Sequence, residues 1–282
     1  MFGKRPDGNL EKTMDPIVRM TSYIMPKRYD AQVFLKKMVD YDAINDYIKE
    51  KRAENLRITH MDVVIAAYVK TMAKYPELNR FVVNKKIYKR NEIAVSLTVL
   101  KEKIGDQVSE TTIKVKFSPD DNIFDVKDKM VSEIEKNRAQ AASNATDNIC
   151  RALLALPLIP GAGVKFLMFL DRHGLLPKSV IDASPFHASM FITNMASIRT
   201  EYVYHHIYDF GTVSAFIGMG RKETVPVFDR EGNVVKKNYL PLGVVIDERI
   251  CSGYEYSRGL SFMERLLKNP HLLEIKGIEE TK

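Results

Sequence analysis

Within one stretch of ten residues, Asp247-Glu248-Arg249-Ile250-Cys251-Ser252-Gly253-Tyr254-Glu255-Tyr256, the chain gathers carboxylates, a guanidinium, a thiol, a hydroxyl and two phenols. Glu248 could serve as a general base, but a carboxylate ionises near pH 4.3 and a thiol near 8.5. That mismatch is roughly four units, or about 6 kcal/mol. Burial in an apolar channel would raise the carboxylate and narrow the gap. An uncompensated buried charge needs a cation, for which Arg249 and Arg19 are the candidates. Such pairing would lower the glutamate again and oppose base chemistry. Cys251 could act as a nucleophile beside a base, yet no histidine adjoins it, and a packed thiol is the expectation.

Histidines elsewhere offer substitute bases. His187 precedes the stretch around Thr193, and His205-His206 follows it; a polar loop role is the alternative reading. Adjacent histidines on an extended segment point to opposite sides, which argues against their chelating one metal. His60, His173 and His271 are unpaired by spacing. Gly161-Ala162-Gly163 follows no strand and completes neither a dinucleotide nor a phosphate-loop fingerprint. No metal site is expected.

These groups need a scaffold, and the composition can build one. The 282 residues are 45% hydrophobic, enough for a sizeable core. A net charge of +7 is spread thinly, which outlines no nucleic-acid surface. Two cysteines, Cys150 and Cys251, are too few for a disulfide framework, and a reducing cytoplasm is the expected location. The N-terminus lacks the apolar stretch of a secretory signal. Residues 153–170 form the only membrane-like run, but Pro157, Pro160, Gly161, Gly163 and Lys165 interrupt it. A buried helix pair, a channel wall or a subunit contact is expected there rather than a membrane span.

The pattern predicts a single α+β domain. After an extended lead, Asp30–Leu35 reads as a strand, and Val39-Asp40 opens a helix to about Glu54. Thr59-His60-Met61-Asp62 fits a capping box for a helix that Pro76 stops. Residues 80–90 read as a hairpin turning at Asn84-Lys85, and 92–100 and 111–117 as strands. Ser118 to Asp121 should start a helix carrying Ile123, Val126, Met130 and Ile134. Residues 139–176 are helical but irregular. Strands follow at 190–194, 212–218, 225–228, 233–237 and 240–246, then a helix from about Ser257 to Lys268.

Laid on this frame, the motifs resemble one family in order. Ile17-Val18-Arg19, Val39-Asp40, Tyr75-Pro76-Glu77-Leu78-Asn79, Ile192-Thr193-Asn194-Met195, Ala215 to Gly220, Asp247 to Gly253 and Asn269 to Leu273 are similar to signatures of the 2-oxo acid dehydrogenase acyltransferase catalytic domain. The resemblance implies the chloramphenicol acetyltransferase-like fold, a mixed β-sheet flanked by helices, assembled as a homotrimer. By the same resemblance, residues 1–16 are an N-terminal extension, 17–275 the catalytic-type domain and 276–282 a tail. The segment of about 141–183 is more hydrophobic than the family's.

The family's signature Asp-His-Arg-x-x-Asp-Gly stands here with Glu248 at the histidine and Ser252 at the second aspartate. The resemblance implies that Glu248 occupies the base position and Thr193 that of the hydroxyl that steadies the tetrahedral oxyanion. Ser252 occupies the position of an aspartate that braces the loop, while Asp247 and Arg249 keep the family's residues. CoA or acyl-CoA is the implied substrate, with a small-molecule acceptor entering the intersubunit channel from the opposite side. Tyr202, Tyr204, Tyr208, Tyr254 and Tyr256 could hold the adenine of CoA or simply pack. Nothing resembles a lipoyl or peripheral-subunit-binding module, so membership of a dehydrogenase complex is not expected. Two readings stay open: an acyltransferase with retained or redirected chemistry, and a noncatalytic trimer with a binding, regulatory or structural role.

Overall fold

The computed structural model describes residues 4–100, 110–139, 155 and 160–278. The chain opens with β1 (Gly8–Leu10), α1 (Pro16–Ile24), β2 (Gln32–Asp40), α2 (Tyr41–Ala53) and α3 (His60–Lys74). Next come β3 (Arg80–Val83), β4 (Lys86–Arg90), β5 (Ile93–Leu100), β6 (Glu110–Phe117) and α4 (Ile123–Ala139). Then follow α5 (Pro160–His173), α6 (Lys178–Ala183), β7 (Met190–Asn194), β8 (Ala215–Met219), β9 (Glu223–Phe228), β10 (Val234–Asp247) and α7 (Gly253–Lys268).

The main sheet runs β2-β10-β8-β7-β5-β6, with β9 paired to the first half of β10, and β1-β4-β3 form a small second sheet. The β5–β7 and β7–β8 pairs are parallel and the rest antiparallel, so the sheet is mixed. Strand alternation divides its faces. Ile192, Ile217, Val244 and Ile246 belong to the large core shared with α3, α4 and α7. Phe191, Phe216 and Val245 form a separate cluster on the other face with Ile207 and Val213.

Local chemistry explains the helix starts. Thr59 and Asp62 complete the expected capping box, and α3 is buried along nearly its whole length, as a helix that is apolar all round should be. Asn84 and Lys85 both take positive φ, the turn that a two-residue hairpin demands.

Several boundaries differ from the sequence reading. The extended lead contains α1, whose start is marked by Asp15 capping Ile17 and by Pro16 in the first turn. Residues 28–31 are a 3₁₀ turn, and β2 begins only at Gln32. The cap of α4 is Asn122, whose Oδ1 accepts from the amides of Phe124 and Asp125, so the helix starts later than Ser118–Asp121. The two strands expected over 233–246 are one, β10. Its exposed first half pairs only with β9 and its buried second half with β2 and β8, so the two halves carry different compositions.

Residues 5–10 pack against the fold. Arg5 is buried against Asp7, and β1 pairs with β4. Over 160–173 the hydrophobic run forms α5, with Phe166 60% and Phe169 49% exposed. A buried helix pair within the chain is therefore not what this half of the run makes. No helix among the described residues is long and apolar enough to cross a membrane.

Candidate active site

The turn after β10 is fixed by a buried ion pair. Asp247 is fully buried; its Oδ1 accepts from Arg249 Nε at 2.8 Å and its Oδ2 from Arg249 Nη2 at 2.6 Å. Arg249 also donates to the carbonyl of Met25 at 3.0 Å, and Arg28 Nε lies 3.5 Å from Asp247 Oδ2. The Tyr256 hydroxyl donates to the Asp247 carbonyl at 2.5 Å, tying α7 to the same turn. Asp247 and Arg249 thus position the turn from inside the protein. Between them Glu248 projects outward; it is exposed and makes no side-chain hydrogen bond or ion pair among the described residues.

Ser252 is the N-cap of α7. Its Oγ accepts from the Glu255 amide, and the Glu255 carboxylate accepts from the Ser252 amide at 2.6 Å, a reciprocal capping box. Arg19, the other candidate partner, is exposed on α1. Ser252, at the loop-brace position of the implied family, forms no ion pair, and its capping box with the Asp247–Arg249 pair fixes the loop.

Thr193 sits near the end of β7, half-buried, with Oγ1 3.8 Å from Met195 Sδ. Register places it level with Gly218 on β8, which pairs with Gly243 on β10. A Cβ at Gly218 or Gly243 would meet the carbonyl oxygen of Val203, so these glycines let the 202–203 segment cross the face that Thr193 shares. Glu248 lies five residues beyond Gly243 and two strands away from Thr193, a separation of roughly 15–20 Å by strand geometry. It also lies on the other face of the sheet, where it borders a groove with Val33, Leu35, Ile246 and Tyr256. Within one chain the two residues cannot touch the same substrate atom.

Residues 186–275 match the family model of the 2-oxoacid dehydrogenases acyltransferase (catalytic domain). This segment is similar to that family's catalytic domain. The match covers Thr193 and the whole Asp247–Gly253 turn. Solved structures extend the likeness to the fold of the whole chain. A probable dihydrolipoamide acetyltransferase from Listeria monocytogenes 4b F2365 is 15% identical, with a TM-score of 0.55 and 98% of each chain covered. A truncated catalytic core of the 2-oxoacid dehydrogenase multienzyme complex from Thermoplasma acidophilum is 14% identical with a TM-score of 0.52, covering 93% of this chain and 99% of that one. A chloramphenicol acetyltransferase is 12% identical, also with a TM-score of 0.52, over 92% of this chain and 99% of that one. No curated protein matches by sequence. The α+β, chloramphenicol acetyltransferase-like architecture read from the motifs is the fold observed.

Other candidates fall away from the turn after β10. Cys251 is a buried free thiol, and burial, with the nearby Glu255 charge, pushes its pKa well up, so it is protonated and inert. Tyr254 is exposed and Tyr256 buried, so they cannot line one pocket as a pair. His205 stacks on Phe216 at 4.2 Å, and its ring lies 4.6 Å from that of His206. The expectation that these two rings point apart fails because residues 205 and 206 lie outside any strand. No metal-holding group of His, Cys, Asp or Glu occurs among the described residues.

His187 lies in the loop between α6 and β7, as expected, and is buried there among polar partners. Its Nδ1 lies 2.8 Å from Ser184 Oγ, and its Nε2 lies 3.4 Å from Asp171, which also pairs with Arg5 at 2.7 Å. Burial lowers the His187 pKa and keeps the ring neutral. Burial alone would raise the Asp171 carboxyl, but contact with His187 and the charge of Arg5 outweigh it and bring its pKa to about 2. Both folded-state values lie below their unfolded ones, so both groups lose stability toward acid. Unfolding free energy is expected to fall as pH drops below 6.5, the unfolded value for His187, with a further loss from 3.8 toward 2 as Asp171 protonates. His187→Gln should remove the first part of that slope in urea titrations at successive pH values; an unchanged slope would assign it elsewhere.

Proposed function

We propose that this chain is a CoA-dependent acyltransferase working as a homotrimer, with Glu248 of one copy and Thr193 of the next meeting on a thioester. The observation that carries this reading is their placement on opposite faces of one sheet. Two functional residues kept in the family's order but separated within the chain fit a site completed by a second copy. The exposed apolar face of α5 fits a contact between copies.

In the proposed reaction the Glu248 carboxylate removes the proton from the acceptor's thiol or hydroxyl. The freed sulfur or oxygen attacks the thioester carbonyl, and Thr193 Oγ–H donates to the tetrahedral oxyanion. The carbon–sulfur bond then breaks, and the CoA thiolate leaves with the proton from Glu248. Cover by the neighbouring copy would desolvate Glu248 and raise its pKa toward that of the acceptor. The buried free thiol Cys251 fits a reducing compartment such as the cytoplasm.

Mixing tests the shared site. Glu248→Gln and Thr193→Ala chains, each impaired alone, are co-refolded and assayed for CoA release from acyl-CoA with thiol, amine and alcohol acceptors. Random pairing in a cyclic assembly gives about a quarter of interfaces both native residues, so the mixture should regain about that fraction of wild-type turnover. A mixture no better than its components would rule out the shared site. The use of Ser252 as a helix cap favours a second reading, a noncatalytic trimer that binds acyl-CoA. It predicts CoA binding without turnover on any acceptor.

A further inference from the structure

We propose that the groove beside Glu248 and the apolar cavity behind it form an acyl-chain pocket, so that the donor is the thioester of an aliphatic acid longer than acetate. This deepens the acyltransferase reading and rests on it for the position of the carbonyl. The groove, about 460 Å³, runs along edge strand β2 under α7, with Val33 and Leu35 as its floor and Glu248 at one end. Lys37, Ile246, Tyr256 and Leu260 line both this groove and a further cavity of about 60 Å³, so the two spaces adjoin across these side chains.

The inner cavity is walled by Val39, Met72, Ile217, Leu242, Val244 and Met263. Most of its polar neighbours are engaged by the protein. Thr71 Oγ1 donates to the Ala67 carbonyl and Ser214 Oγ to that of Arg80. The Tyr256 hydroxyl is held by Asp247, and Lys37 pairs with Glu264 at 2.6 Å. A polar guest would find few free partners there, whereas an apolar one gains from leaving water. Packed interiors leave few voids larger than a water, and a dry apolar void takes apolar guests. On the scale where ~150 Å³ holds a benzene ring, this cavity takes about two carbons. A carbonyl placed beside Glu248 would send its aliphatic tail along β2, with the last carbons entering the cavity.

Calorimetric titration of the full chain with CoA, acetyl-CoA and hexanoyl-CoA, and separately with acetate and hexanoate, tests the assignment. Each buried methylene is worth about fourfold in affinity, so the hexanoyl member of each series should bind at least about tenfold tighter than the acetyl member. Ala215→Leu, which fills the cavity from the start of β8, should cut that gain by at least about fourfold while CoA affinity stays unchanged. Met263→Ala, which widens the cavity, should shift the preference to octanoyl-CoA. Equal affinity for acetyl and hexanoyl members, or a gain undiminished by Ala215→Leu and indifferent to Met263→Ala, overturns the pocket. Hexanoate bound with the full gain by a chain that ignores CoA would instead remove the thioester reading and leave the pocket standing.

Discussion

Asp247→Asn is expected to destabilise the protein by about 3–5 kcal/mol, the range for removing one partner of a buried ion pair. The substitution keeps the side chain's shape, so the loss reports charge and hydrogen bonding rather than a cavity. With the carboxylate gone, the guanidinium groups of Arg249 and Arg28, both almost wholly buried, share a site without their common anion. Arg28 already has its pKa lowered by burial and by Arg249, with Asp247 as the largest opposing influence. Four main-chain carbonyls, of Tyr208, Asp209, Val82 and Gly211, accept from Arg28, so it cannot swing out to water without breaking the fold around it. Natural domains are stable by only about 5–15 kcal/mol, so the variant should unfold at markedly lower urea or fail to accumulate. Arg249→Lys, which loses the bidentate geometry but keeps a cation, should lose less. A loss under about 1 kcal/mol for Asp247→Asn would show that the pair behaves like one at the surface.

The sequence carried the frame of the fold further than the chemistry of the site. Motifs with local physics were legible: Thr59 with Asp62, the Asn84-Lys85 turn, and the alternation of Thr111, Ile113, Val115 and Phe117 each decide their own structure. Elements shaped by distant partners were not. β10 reads as two strands because its halves pair with different neighbours, and α1 has its apolar side chains outward, so no inward stripe announces it. At the site, the positions of Thr193 and Glu248 were legible through resemblance, but not that they face opposite sides of the sheet. That follows from the register of β7, β8 and β10, which no short motif encodes. Ser252 could have been read as a cap, since Ser252 and Glu255 have the spacing of a capping box. The Arg5–Asp171–His187 cluster joins three distant segments, and nothing local signals it.

Glu248→Gln should lower turnover by about 10²–10⁴, the usual worth of a positioned general base. Glutamine keeps the shape of the side chain, and among the described residues Glu248 has no partner whose loss would disturb the turn. Folding stability should therefore move within about 0.5 kcal/mol, as for a surface substitution, and a rate loss can be read as chemistry. Glu248→His tests the same site from the other side. Imidazole ionises near pH 6.5 against about 4.3 for a glutamate, which brings the base closer to a thiol by about two units, or about 3 kcal/mol. Combined with Ser252→Asp it rebuilds the family signature without removing the helix cap, because aspartate caps about as well as serine. If the rest of the site is assembled, the double variant should turn over acyl-CoA faster than the natural chain at neutral pH. Its rate should rise with pH as the imidazole loses its proton. Ser252→Ala is the control for the cap, costing about 1 kcal/mol of stability with little change in rate. Turnover that is the same with glutamate, glutamine and histidine at 248 would remove the side chain from the reaction, whereas CoA binding with no turnover in any of the three would leave the noncatalytic trimer as the function.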